Sequence, residues 1–438
     1  MKSPLLAIFL AATAAAPALN AHTGPLDPGF GDGGFGYYGF QPVEGQGNDA
    51  ALVGCAGPNN TFVVAGMASG GRRIVTVRLL PDGSYDTGFS GDGKESFNLV
   101  THVDGAGACL LQGDLAVAAN TADVAGEQNL RLVRVGRDTG LPVSSFGSGG
   151  VVDLDLDAHI SGLDKAEVPL GLNVLPNGDL AVSGYVSLPG GSTTGFVALL
   201  DPAGQVAAAT AADCWMLTTV LESPAGDLWA FGSTGQGGCR VTLNRTTLTQ
   251  SGRITNNMGV TVRPGSARAV RPGTIAMAAT ADAPFGQRPL LLVFRETAVT
   301  ALPLPAPVLN GAGVGLSAQL RTQGVQILPG GRVLFGGSLD STATTAGEYF
   351  ALARIGRSAA DDRTENYFGR GGAASAQFLP DTSACAAAPP PQAIHRMTSW
   401  MGRPAFVGKV GTACFVNAGD DYLVGRVETD YLFGDGLD

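Results

Sequence analysis

The sequence predicts an all-β chain folded as a seven-bladed β-propeller, with an N-terminal strand closing the last blade. Three observations lead there. A Phe-x-Gly-x-Gly corner recurs along the chain, short apolar strands joined by Pro-x-Gly turns recur around it, and the two ends carry complementary fragments of one unit. The clearest copy runs from Arg73 to Lys94: a strand, the Pro81-Asp82-Gly83 turn, then Phe89-Ser90-Gly91-Asp92-Gly93. Pro presets one turn angle and Gly supplies positive φ, so the strand must reverse there. Further corners are Phe30-Gly-Asp-Gly33-Gly34, Phe146-Gly-Ser-Gly149-Gly150, Phe368-Gly-Arg-Gly371-Gly372 and Phe433-Gly-Asp-Gly436. The first three phenylalanines lie 59 and 57 residues apart, a period that suits four-stranded units.

Composition points the same way. Of 438 residues 65 are Gly and 15% are charged, and long Gly-free, Pro-free amphipathic windows are almost lacking. Length alone would suggest about three domains, but repeats stack into one continuous core.

Met1 to Ala21 has a basic Lys2, an apolar Leu5–Ala16 core and small residues before His22. It reads as a secretory signal peptide cut after Ala18 or Ala21, its apolar core being too short for a membrane anchor. Residues 22–438 then form one propeller, with blades near 45–99, 100–155, 165–210, 214–255, 260–302, 315–378 and 392–438, the last completed by 35–40. In the first unit Ala51–Cys55, the Pro58-Asn59-Asn60 turn and Phe62–Ala65 make a hairpin before the Arg73–Leu80 strand. The second has Ala108–Leu111, Leu115–Ala118, Asn129–Val135 and the Phe146 corner; the third has Leu172–Leu175, Leu180–Ser183 and Phe196–Leu200, its corner decayed. The fourth and fifth keep the hairpin around Pro224-Ala225-Gly226 and Pro272-Gly273. A Pro-rich linker, Leu302–Pro307, precedes the sixth, which regains the corner at Phe368; the seventh runs through Met397–Met401, Ala405–Val407 and Tyr422–Val427 to Phe433. The final corner has no strand after it, whereas Phe35–Phe40 follows a corner with no earlier strands to pair. A ring fills that vacancy, while an open array would leave two unpaired edges.

The Pro81–Lys94 pattern resembles the delta-sixty repeat family of secreted or surface bacterial proteins. The first, second and sixth units carry the motif well, the others mainly through the hairpin or the bare strand pattern. The resemblance implies a propeller-like β fold and no established activity, so it supplies no catalytic residues.

Six cysteines in an exported chain suggest disulfides. Cys214 with Cys239 and Cys385 with Cys414 are the local pairs, which leaves Cys55 and Cys109 either as a third bridge or as two separate buried thiols. The net charge of −10 opposes nucleic acid as a partner. No later stretch is apolar for about 18 residues, so no transmembrane segment is expected.

Candidates for chemistry each have a plainer reading beside them. Arg78, Arg134, Arg295, Arg354 and Arg426, with Arg245 one position off, recur near the end of the third strand. They would either ring a central channel and bind an anion or pair locally with acids, Arg78 with Asp86 and Arg426 with Asp430; the local pairs are expected. Asp153-Leu-Asp155-Leu-Asp157 places three carboxylates on one strand face, either for Ca²⁺ or as a charged edge. The edge is expected, and Asp32, Asp92 and Asp435 in the corners are read as turn chemistry, so no metal is assigned. The histidines, His22, His102, His159 and His395, are far apart in sequence, and no nucleophile elbow, zinc-protease or phosphate-loop motif is present. Loops Thr121–Gln128, Ser187–Thr194, Ser338–Gly347 and Thr412–Asp420 would share one face.

The expectation is an exported, monomeric, non-catalytic propeller without cofactor, serving as a binding or surface scaffold for an extracellular or envelope ligand, a glycan or a protein. It would be extracellular, on the cell surface or periplasmic. The alternative is a propeller enzyme, a hydrolase or lyase acting on a carbohydrate or lactone at the channel mouth. His, Asp, Glu or Arg converging in the channel would mark it.

Overall fold

The structure, a computed structural model, describes residues 26–31, 34–38, 49–68, 73–98, 105–111, 113–122, 128–162, 167–283, 286–305, 308–309, 312–313, 319–340, 347–364, 373–376, 392–411 and 420–428. The expected leader, the Phe368 and Phe433 corners, Asp430, Cys385 and Cys414 lie outside the described residues.

Seven antiparallel sheets follow one another along the chain. Blade 1 comprises Ala50–Ala56, Phe62–Ala68, Arg73–Leu79 and Lys94–Asn98; blade 2 comprises Gly105–Cys109, Leu115–Ala122, Gln128–Val135 and Val151–Leu154. Blade 3 has Glu167–Val174, Leu180–Ser187, Thr193–Leu200 and Val206–Ala212; blade 4 has Met216–Glu222, Leu228–Ser233, Gly238–Leu243 and Gln250–Thr255. Blade 5 has Thr261–Arg271, Thr274–Ala283, Gly286–Phe294 and Val299–Pro303. In blade 6 the strands Gln319–Leu328, Arg332–Asp340 and Gly347–Arg354 are completed by two short pieces, Arg363–Thr364 and Ala373–Ala376. Blade 7 is Gln392–Trp400, Arg403–Gly411 and Asp420–Arg426, and its fourth strand is Phe35–Tyr38 from the other end of the chain. Tyr37 pairs with Leu423, as a closed ring requires.

The core explains why these strands read as apolar runs instead of clean alternations. A buried apolar cluster lies between every adjacent pair of blades, including blades 7 and 1, so both faces of each sheet are covered. In Phe62–Ala68 every residue is buried.

The corner locks one blade to the next. Asp86 N donates to Arg78 O, Arg78 N to Gly93 O, and Gly93 N to Phe89 O, which folds Tyr85–Gly93 back onto the third strand. The buried Phe89 ring then meets Gly140 of blade 2; Phe146 likewise meets Gly204 of blade 3, and Phe30 meets Gly83 of blade 1. All three glycines have positive φ, and a Cβ at any of them would come within about 3 Å of the ring. The turns at Gly83, Gly140 and Gly204 are therefore also sockets for the preceding corner's phenylalanine.

Blade 7 uses the same device, but its corner comes from the N-terminus. Asp27 N donates to Arg426 O and Arg426 N to Gly34 O, both at 2.9 Å. The Asp27 carboxylate, three residues before Phe30 as Asp86 is before Phe89, accepts from Arg426 Nε at 2.5 Å and from Arg403. The ring thus gives Arg426 the equivalent Asp of the N-terminal copy, while Asp430, its expected partner, lies outside the described residues. Trp400 seals the seam, stacked on Phe62 with centroids 4.7 Å apart and edge-on to Phe30 at 5.4 Å.

Two disulfides are present among the described residues. Cys214–Cys239 ties blade 4 internally, and Cys55–Cys109 joins the first strands of blades 1 and 2, which decides the open alternative in favour of a bridge.

Burial works to raise the Asp27 pKa, yet the Gly29 N–H and the Arg403 and Arg426 guanidiniums outweigh it and hold the carboxyl below the usual range. A depressed carboxylate stabilises the fold above its unfolded pKa and loses that contribution as pH falls through the folded value. Asp27→Asn should thus lower stability at pH 7 by about 3–5 kcal/mol, since it leaves Arg426 buried without a counter-charge. Urea melts at several pH values check this: the gap from wild type should narrow below about pH 4. Replacing Cys55 and Cys109 together by Ser should cost about 2–4 kcal/mol by the same melts, provided wild type is compared without reductant.

Candidate functional site

The first strand of each blade borders the axis, and consecutive first strands touch around the full circle. These strands are not regular. The register slips in the first strand of blade 1 between Ala51 and Val53, of blade 3 between Pro169 and Gly171, and of blade 4 between Leu217 and Thr219. It slips again between Pro264 and Ala267 in blade 5, Thr322 and Gly324 in blade 6, and Ile394 and Arg396 in blade 7. A bulge frees one residue from the ladder and re-aims it. Here the freed residues Leu52, Leu170, Thr218, Gly265, Ser266 and His395 all line one axial cavity of about 530 Å³.

The bulges also clasp neighbouring blades. Asn173 Oδ1 accepts from Val220 N at 3.0 Å, Thr218 Oγ1 donates to Gly265 O at 2.6 Å, and Thr219 Oγ1 accepts from Ala267 N at 3.0 Å. Ser266 Oγ accepts from Val325 N at 3.3 Å, and His395 Nδ1 lies 2.9 Å from Ala51 O. A carbonyl only accepts, so that contact places the imidazole proton on Nδ1.

The cavity is cationic in an acidic protein. Arg263, Arg268, Arg396 and Lys409 line it with His395 and Tyr185, and none of the described residues that line it is Asp or Glu. Arg263 leans outward to Asp282. Arg268 and Arg396 have no carboxylate partner among the described residues: Arg396 Nη1 donates to Gly107 O and reaches Leu172 O at 3.5 Å, and Arg268 Nη1 reaches Ala267 O at 3.4 Å. Burial, and after it the neighbouring Arg268, pulls the Arg396 pKa down to about 9, and burial pulls Arg268 down as well. At neutral pH both remain charged. Each guanidinium carries five N–H donors, most of which these main-chain bonds leave over. The arrangement can hold an oxyanion by charge-assisted, two-pronged bonds.

The sequence candidates fall elsewhere, with one exception. Arg78–Asp86 at 2.7 Å is the expected pair; Arg134–Asp114 at 2.8 Å and Arg245–Glu222 at 2.5 Å stay within one blade, while Arg295–Asp362 at 2.7 Å joins blades 5 and 6 and Arg426–Asp27 joins the two chain ends. None of the six recurring arginines lines the cavity, so the imagined ring does not form from them there. His395 does line it; His159 is exposed on the surface, and His22 and His102 lie outside the described residues. Asp92 Oδ1 accepts from Lys94 N, a turn contact, while Asp32 and Asp435 lie outside the described residues. Of the four loops only Ser187–Thr194 is described throughout, as a tight exposed turn.

The strand assigned to Asp153–Asp157 is corrected. The strand ends at Leu154; Asp153 pairs with Arg131, and Asp155 instead caps a single 3-10 turn, Leu156–Ala158, by accepting from Asp157 N. The reason is Leu156, whose buried side chain pulls the chain inward where an edge strand would have continued. This turn meets Glu167, the first residue of blade 3, whose carboxyl burial, with Asp155 and Asp157 beside it, pushes up to about 8.

Sequence reasoning missed Arg268, Arg396, Lys409 and Tyr185. One signal was available: Arg268 and Arg396 stand in first strands, most of whose residues are apolar or small, as Gly107 and Leu172 are.

No family model and no curated protein matches the chain. Among solved structures it is similar to the Dos1 propeller, with 12% identity, 87% of this chain and 93% of that one covered, and a TM-score of 0.45. It is also similar to polysaccharide lyase Uly1, at 10% identity with 89% and 92% covered and a TM-score of 0.41. A family 43 β-1,3-galactosidase aligns at 12% identity over 59% of this chain and 92% of its own, with a TM-score of 0.36. The fold assignment rests on the strand pairing itself.

Proposed function

We propose that this protein is an exported binding propeller whose ligand presents an anionic group, a carboxylate or a sulfate ester, to the axial cavity. One observation carries the reading: two neighbouring guanidiniums, Arg268 and Arg396, converge there with no carboxylate to neutralise them among the described residues. Desolvated like charges raise the free energy of the empty site, and a bound anion relieves it. The cavity volume suits a sugar-sized group. An extracellular glycan ending in an acidic sugar meets both requirements. Kinship with delta-sixty repeat proteins and export through the Met1–Ala21 leader belong to the same proposal, and the two disulfides fit an oxidising compartment. So does a monomeric state, because closure of blade 7 consumes its open edge.

A second reading, a hydrolase or lyase on a carbohydrate or lactone, draws on His395 and Tyr185, which line the same cavity and belong to residue types that move protons. The two readings separate in one experiment. Mature protein is titrated calorimetrically with neutral, uronate-terminated and sulfated oligosaccharides, and the mixtures are then chromatographed for products. The expected result is binding of the acidic sugars alone, weakened at least about tenfold in Arg268→Gln and in Arg396→Gln. Arg268→Gln should melt at or above wild type, since it removes one of two like charges. Acidic sugars that fail to bind, or that bind both variants as well as wild type, would refute the proposal. Turnover lost in His395→Ala with binding kept would replace the scaffold with an enzyme.

A further inference from the structure

We infer that Asp155, Asp157 and Glu167 form a Ca²⁺ site at the crossover from blade 2 to blade 3, separate from the axial cavity. One oxygen from each of the three side chains lies within 4.8 Å of the other two. That is the spread expected of oxygens around one Ca²⁺, because ligands about 2.4 Å from the ion are at most about 4.8 Å apart.

Proximity of acids alone would argue little, and Glu167 supplies the independent observation. Only 3% of its surface is exposed, and Leu156 N holds Oε1 at 3.0 Å. Its other oxygen, Oε2, is buried without any hydrogen-bond partner. A carboxylate oxygen in that position costs free energy unless a proton or a cation meets it. None of the three acids pairs with Lys, Arg or His among the described residues. The nearest acid that does, Asp153, is drawn away by Arg131 on the neighbouring strand.

The local fold prepares the site. Asp155 ends the outer strand with extended backbone, its side chain caps the turn, and buried Leu156 anchors that turn against the inter-blade core. Asp155 and Asp157 therefore stay at the surface on either side of Leu156, while Glu167 forms the floor. Two exposed acids above one buried acid give an ion an entry path and a desolvated inner ligand. Carboxylates on an irregular turn favour Ca²⁺, which accepts flexible geometry, over Mg²⁺, which demands a tight octahedron. Bound there, the ion would link the outer strand of blade 2 to the inner strand of blade 3.

The test is calorimetric titration of chelator-stripped mature protein with CaCl₂ and with MgCl₂, paired with thermal melts. The expected result is one Ca²⁺ per chain with a Kd of roughly 10⁻⁵–10⁻³ M, a melting temperature raised by a few degrees at saturation, and a markedly weaker Mg²⁺ response. Glu167→Gln keeps an acceptor for Leu156 N without the charge and should abolish the response. Asp157→Asn, at an exposed position, should weaken Ca²⁺ binding about tenfold and decides the matter if the buried variant fails to fold. Wild type that neither binds Ca²⁺ nor shifts on chelation would overturn the site, as would Ca²⁺ binding that persists unchanged in the variants. An Mg²⁺ response equal to that of Ca²⁺ would overturn the choice of ion.

Discussion

The ring depends on one buried carboxylate. Asp27 joins residues from the two ends of the chain, and around it the main chain of Arg426 is bonded on both sides to the N-terminal corner. With that contact made, Phe35–Tyr38 supplies the missing outer strand and Phe30 drops into its socket on blade 1. The seam then has the same anatomy as those between blades 1 and 2 and between blades 2 and 3: a corner phenylalanine on a positive-φ glycine, an arginine held by an acid, an apolar cluster between the sheets. Its parts are distant in sequence, so closing the ring makes non-local contacts.

Closure also fixes the site. Seven first strands face a common axis, and the bulges of five of them turn residues toward the cavity beside Arg268 and Arg396. The hydroxyls of Thr218, Thr219 and Ser266 spend themselves on neighbouring backbone, so the clasp that holds the ring together also consumes its small polar groups. What is left facing the cavity is mostly long and positive. Scaffold and site are thus built from one irregularity, and a substitution that restores regular pairing in a first strand would alter both.

This explains which features were legible in the sequence. Turn chemistry is local: Pro81-Asp82-Gly83 and Phe89-Ser90-Gly91-Asp92-Gly93 state their backbone requirements outright, and the mismatch between chain ends states the closure. The Asp27–Arg426 pair was within reach, since Asp27 stands where Asp86 does, but Asp430 stands there too and is nearer to Arg426 in sequence. The cavity was not legible. Whether a first-strand side chain faces a neighbouring blade or the axis turns on a one-residue slip, and nothing in Ile394-His395-Arg396 declares it. The recurring third-strand arginines drew attention because they repeat, yet repetition marked a structural part. The unrepeated Arg268 and Arg396 are the ones that find no carboxylate partner among the described residues.

The charge distribution bears on what the proposed ligand can be. The chain carries 37 acidic against 27 basic residues, so at a distance it repels anions, while among the described residues no acid lines the cavity. Screening at physiological salt confines the guanidinium pair to a range of about 8 Å. A polyanion would meet the acidic exterior along its whole length before any part of it reached Arg396. A largely neutral chain ending in one acid would not, and its terminal group would come under the pair's influence only after entering the cavity. Under the proposed function, this opposition of shell and channel would favour a single terminal charge, recognised end-on.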